Sequence, residues 1–177
     1  MKSIILKTLL ILLLPICLKA QILLEKKSFI NNKIELLVPK DFKPMTAEML
    51  NAKYPNRNQQ PYLILTNEDA DVNIVISPLS QSLQANQVAE FKDFQINQLK
   101  KMRPDAKWLD NGVKTINGKS IGYFKFISSA IDQTVFNYYF FTDMDGKILL
   151  LTFNCTEKLL PTWKDATEKI VSSLIVK

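Results

Sequence analysis

Two segments of this chain are apolar on both alternating faces: Thr134-Val135-Phe136-Asn137-Tyr138-Tyr139-Phe140-Phe141 and Ile148-Leu149-Leu150-Leu151-Thr152-Phe153. Successive side chains of a β-strand point to opposite sides, so a strand wet on one side alternates apolar with polar residues. These two do not, so both faces of their sheet must be covered. Asn117-Gly118 and Asp145-Gly146 supply the positive φ that tight primed turns require. Such turns join antiparallel neighbours. The sequence therefore predicts a meander of four strands over residues 106–116, 119–131, 134–142 and 147–155, with a weaker turn at Asp132-Gln133.

Helix-period patterns supply the covers. Asn86 is a candidate cap for a helix over residues 87–102. Val88, Phe91, Leu99 and Met102 fall on one face, with Phe94 on its flank, and Glu90, Asp93, Asn97 and Lys101 fall on the other. Pro104 ends it, and Lys100, Lys101 and Arg103 complement the dipole at its C-terminal end. Pro161 opens a last helix to about Ser173, with Trp163, Ala166, Thr167, Ile170 and Leu174 along one face. Upstream, Ile34 to Val38 reads as a strand closed by Pro39, and Thr46 caps a short helix over residues 47–53. Residues 54–61 form a polar, Pro-bounded loop, and residues 62–66 and 72–77 form a hairpin. The expected fold is α+β: an antiparallel sheet of about six to seven strands with helices on both faces, in three layers.

Residues 1–20 read MKSIILKTLLILLLPICLKA. Lys2 and Lys7 make a basic start, an uncharged run follows, and Ala20 is a small residue at a cleavage position. This is the pattern of a secretory signal peptide. The run is shorter than the roughly 20 apolar residues that span a bilayer. Residues 21–177 are then a single domain, exported to a bacterial periplasm or secreted. A second route stays open: Leu14-Pro15-Ile16-Cys17 is similar to the box preceding a lipidated cysteine, and lipidation of Cys17 would tether the protein to a membrane. Cleavage after Ala20 removes Lys2, Lys7 and Lys19 and no acid, so the formal charge falls from +6 to +3. That is ordinary for a soluble domain and gives no case for nucleic acid.

Several short stretches resemble the superfamily of the photosystem extrinsic protein PsbP. That superfamily includes periplasmic DcrB-like proteins and a yeast Ran-binding import factor. Leu36-Leu37-Val38-Pro39-Lys40-Asp41-Phe42 resembles its first strand with the Pro-containing exit. Ile116-Asn117-Gly118 and Asp145-Gly146-Lys147 resemble its hairpins, and Trp163, Ala166, Ile170 and Ser173-Leu174 resemble its closing helix. The resemblance implies a PsbP-like three-layer sandwich and a non-catalytic protein that binds other proteins, acts as a chaperone or stabilises an assembly. Metal positions that contain His in some relatives have no counterpart in this chain, which has no His.

Composition narrows the chemistry further. Without an imidazole there is no Ser-His or Cys-His nucleophile and no His-ligated zinc. The two Cys build neither a thiolate cage nor a disulfide framework, and Cys155 reads as a small buried apolar residue. Asp143-Met144-Asp145-Gly146 starts like a calcium loop but runs straight into a strand, and Glu68, Asp69 and Asp71 crowd an exposed turn. Asn117-Gly118-Lys119-Ser120 lacks the earlier glycine of a phosphate loop. No catalytic, cofactor-binding or metal-binding set is singled out, and no cofactor is expected. The reading is an exported binding or accessory protein with a protein partner. Its candidate contact residues are Tyr54, Arg57, Asn58 and Tyr62, because exposed Tyr, Arg and Asn make adaptable contacts. Two alternatives make distinct structural demands. A carboxylate-based hydrolase needs converging acids in a cleft, and a carrier of an apolar ligand needs a hollow between sheet and helix.

Overall fold

The computed structural model describes residues 21–130 and 133–177. The expected leader, Cys17 and the turn at Asp132 lie outside the described residues. In chain order the elements are β1 (Leu24–Phe29), β2 (Ile34–Pro39), β3 (Lys43–Pro44), α1 (Ala47–Lys53), β4 (Leu63–Thr66), β5 (Val72–Ser82), α2 (Val88–Met102), β6 (Lys107–Ile116), β7 (Lys119–Ser129), β8 (Thr134–Met144), β9 (Lys147–Thr156), α3 (Leu160–Ser172) and β10 (Ile175–Val176). Seven strands form one antiparallel sheet in the order β3-β4-β5-β9-β8-β7-β6. Its centre is β9 and β8, the two segments apolar on both faces.

Both faces are covered, as those strands demand. On one side α2 lies over β7, β6 and β8. Val88, Ile96, Leu83, Phe124, Phe126, Phe141 and Ile148 form the core beneath it. On the other side α3 and a second, three-stranded sheet (β1-β2-β10) close over Ile74, Ile76, Tyr138, Phe140, Leu149, Leu151 and Phe153. The two primed turns carry the expected backbone: Asn117 and Gly118 have φ of 47° and 82°, and Asp145 and Gly146 have 53° and 72°. Gly122 has a different reason to be glycine. A Cβ there would stand 2.5 Å from the Phe141 ring and 3.0 Å from Val88, so its missing side chain is what lets α2 and Phe141 seat on β7.

Several expectations change. The strand at Ile34 to Val38 does not join the main sheet. It pairs with β1 on one side and with β10 on the other. The main sheet reaches seven strands through β3 instead. β1, Leu-Glu-Lys-Lys-Ser-Phe, is a Lys-rich edge strand, a sequence that protects an edge and carries little apolar signal. It turns into β2 through Ile30, Asn31 and Asn32, all at positive φ. Asn86 does not cap α2. A single 3-10 turn (Ala85–Gln87) precedes the helix, and the Gln84 backbone N–H donates to Gln87 Oε1 at 2.9 Å. Met102 is 66% exposed rather than packed, Phe94 on the flank is 52% exposed, and Ile96, outside the expected face, is buried. α2 packs on β6, β7 and β8, and Phe94 and Met102 stay outside that contact. The short helix α1 follows the expectation in full: Thr46 Oγ1 accepts from the Met49 N–H at 3.2 Å.

Candidate partner-binding surface

The predicted contact segment is held by its own polar side chains. The Tyr54 N–H closes α1 on Leu50 O at 2.8 Å. Gln60 Nε2 donates to Tyr54 O at 3.0 Å and to Asn51 Oδ1 at 3.2 Å, and the Asn58 N–H donates to Asn56 Oδ1 at 3.1 Å. A 3-10 turn (Arg57–Gln59) therefore replaces the expected plain loop. Arg57, Asn58 and Tyr62 are exposed, Tyr62 at 62%. Tyr54 is not: it is half-buried, and burial pushes its phenol above the usual tyrosine range. It lies within electrostatic reach of the buried Tyr139 phenol, as does Arg103. Tyr54 is thus partly a packing residue, and the other three are surface.

Register fixes which residues of the sheet lie on the α2 side. Ile64, Val75, Thr152, Tyr139 and Phe124 face one another across β4, β5, β9, β8 and β7, and Phe124 lies under α2. Tyr62 lies in a bend just before β4 and is exposed. Phe94, Gln98 and Met102, spaced by four, form a ridge on α2 over that side. A cavity of about 280 Å³ opens there between Gln81 to Leu83 and Phe91 and Phe94. Phe94 and Met102 are thus exposed apolar groups on α2, and Tyr62 is a third at the entry to β4, in the segment that carries Arg57 and Asn58.

The opposite side holds a cluster the sequence does not signal, because its members lie far apart in the chain. Asp110 and Lys114 on β6, Tyr123 and Lys125 on β7, Tyr138 on β8 and Glu168 on α3 converge. Lys125 Nζ is 2.7 Å from Glu168 and 3.6 Å from Asp110, and Lys114 Nζ donates to the Tyr138 hydroxyl at 2.9 Å. Burial pushes the Tyr138 phenol far above its ordinary value, and burial holds the Lys114 ammonium below its own. The two acids brought together here are bridged by an ammonium, not poised as a general acid and base across a cleft.

The acidic turns are also accounted for locally. Lys119 holds Asp143 at 3.0 Å, and Lys33 pairs with Asp145 across the tips of two hairpins. Asn67 Nδ2 donates to Asp71 Oδ1 at 2.7 Å. Among the described residues there is no group of three or more His, Cys, Asp or Glu side chains placed to hold a metal ion. Cys155 is 1% exposed, and burial pushes its thiol up to about 12. Among the described residues no helix is long and apolar enough to cross a membrane.

No family model and no curated protein sequence matches the chain. Solved structures do match. The solution structure of cyanobacterial PsbP (CyanoP) from Synechocystis superposes with a TM-score of 0.60 at 14% identity, over 87% of this chain and 92% of that one. The Saccharomyces cerevisiae Ran-binding protein Mog1p superposes at 0.55 and 12% identity, over 88% and 96%. LpqN, involved in cell envelope biogenesis of Mycobacterium tuberculosis, superposes at 0.53 and 18% identity, over 81% and 83%. The chain has the PsbP-like fold that its strand and turn pattern resembles.

Proposed function

We propose that this protein is an exported, non-catalytic binding protein that works by contact with another protein through the surface that carries Arg57, Asn58 and Tyr62. The observation that carries the reading is the exposure of Tyr62, Phe94 and Met102, each more than half exposed, together with the exposed Arg57 and Asn58. Aromatic, Met and Arg side chains are the types enriched at protein interfaces. The similar structures favour the same class: one is a Ran-binding protein, and another is involved in cell envelope biogenesis. The leader pattern of residues 1–20 supports export, and a role in an envelope assembly, as a chaperone or in neutralising a toxin is drawn by analogy with the PsbP-like superfamily.

Cross-linking in envelope extracts, followed by mass spectrometry, tests the proposal. The wild-type protein is expected to recover a defined partner, and Tyr62→Ser with Arg57→Glu is expected to lose it while thermal unfolding stays unchanged. Recovery of no partner, together with turnover of a glycan or peptide substrate, overturns the reading.

A further inference from the structure

The two edges of the main sheet differ sharply. β3 is two residues long and contains Pro44, so it offers almost no backbone to a newcomer. β6 is ten residues long, contains no Pro and, among the described residues, pairs with β7 alone. In a two-residue primed hairpin the residues flanking the turn, here Ile116 and Lys119, bond to each other. Alternation then leaves the backbone N–H and C=O groups of Thr115, Val113 and Asn111 pointing away from β7. All three residues are exposed, Val113 at 43%.

The side chains along this edge are self-complementary. If a second copy of β6 runs antiparallel with its Gly112 opposite Gly112, then Asn111 faces Val113 and Asp110 faces Lys114, twice over by symmetry. Asn111 and Val113 are the residues with free backbone groups, so the main-chain bonds and the charges agree on one register. Gly112 at the axis leaves room where two strands come closest. Inside the protein Asp110 lies 3.6 Å from Lys125, and Lys114 lies 3.8 Å from Glu168 and donates to the Tyr138 hydroxyl at 2.9 Å; both side chains are partly exposed and meet a partner's opposite charge by turning from these contacts. The bulge between Trp108 and Asp110 limits the ladder to the residues that follow it. Charges on an edge normally repel an incoming strand; in this register they attract it.

From the free backbone and the paired signs we infer that two copies of this chain join edge to edge through β6, with Asp110 of each opposite Lys114 of the other. The ladder is short, so the dimer forms reversibly with concentration. The symmetry gives a test that does not depend on any unknown partner. In sedimentation velocity the wild-type protein is expected to shift from monomer to dimer as concentration rises. Asp110→Lys places four cations at the joint and Lys114→Asp places four anions, so each variant alone is expected to stay monomeric. Mixed together they restore both opposite-charge contacts, and the mixture is expected to dimerise. Val113→Pro, which removes an N–H that β7 does not use, is expected to abolish dimerisation with the circular dichroism spectrum unchanged. A wild-type protein that stays monomeric at every concentration overturns the inference, including the case in which it takes up an extended segment of another protein instead. A dimer that survives Val113→Pro, or a mixture that stays monomeric, overturns it as well.

Discussion

The Lys125 ammonium stands 4.4 Å from the centre of the Tyr138 ring, over a residue with no exposed surface. A cation over an aromatic face is attracted by the ring quadrupole, and more strongly when water is kept away. Here the same ammonium also reaches Glu168 on α3, so one side chain ties the last helix to the sheet. Lys125→Ala is expected to cost about 1–3 kcal/mol, because it removes the cation from the buried Tyr138 ring and the half-exposed Glu168. Lys125→Met keeps the aliphatic packing and is expected to cost less. Denaturant titration of both variants, with Glu168→Gln completing a double-mutant cycle, reads the coupling directly; it should shrink with added salt.

Gly122→Ala is expected to cost about 2–4 kcal/mol, since the added methyl meets the Phe141 ring well inside contact distance. Phe141→Leu frees space at the same point. The double variant should therefore lose less than the two single losses combined, and equilibrium unfolding of the three proteins checks it.

Gly118→Ala isolates backbone strain from crowding. Nothing lies within 4 Å of the position its Cβ would take, but φ is +82°. The expected cost is about 1 kcal/mol, with Gly118→Asn costing less because Asn tolerates this region. Thermal melts of the two variants give the comparison.

The Cys155 thiol is expected to resist a thiol reagent in the native state and to react at the rate of global unfolding. Its folded value is raised to about 12. The unfolded thiol ionises near about 8.5 while the folded one does not. Its contribution to stability is therefore complete below about pH 8 and is lost as pH rises toward the folded value. Cys155→Ala removes this titration. The stability gap between wild type and variant should then narrow by about 1 kcal/mol or more between about pH 8 and about pH 10. A constant gap would contradict the burial argument.

Much of the architecture was legible because it is local. Asn117-Gly118 and Asp145-Gly146 dictate their turns through φ alone, and Thr46 caps α1 through a bond three residues away. The continuous apolar runs of β8 and β9 required cover on both faces. Met102 was misread as packed because periodicity tells which residues share a helix face, not which of them the sheet beneath reaches. Arg57, Asn58 and Tyr62 were legible as exposed polar and aromatic residues of a loop, but Tyr54 was not recognisable as half-buried, because its neighbour Tyr139 is 85 positions away in the numbering of the chain.

By itself the chain of residues determined a covered antiparallel meander, its turns, and the absence of imidazole chemistry, since each depends on residue type or on neighbours a few positions apart. Only the folded arrangement decided that β2 leaves the main sheet to pair with β1 and β10, and that Asp110, Lys114, Lys125, Tyr138 and Glu168 meet. It also decided that, among the described residues, β6 ends the sheet. Those are long-range choices, settled by which apolar faces pack together and not by any local preference of the backbone.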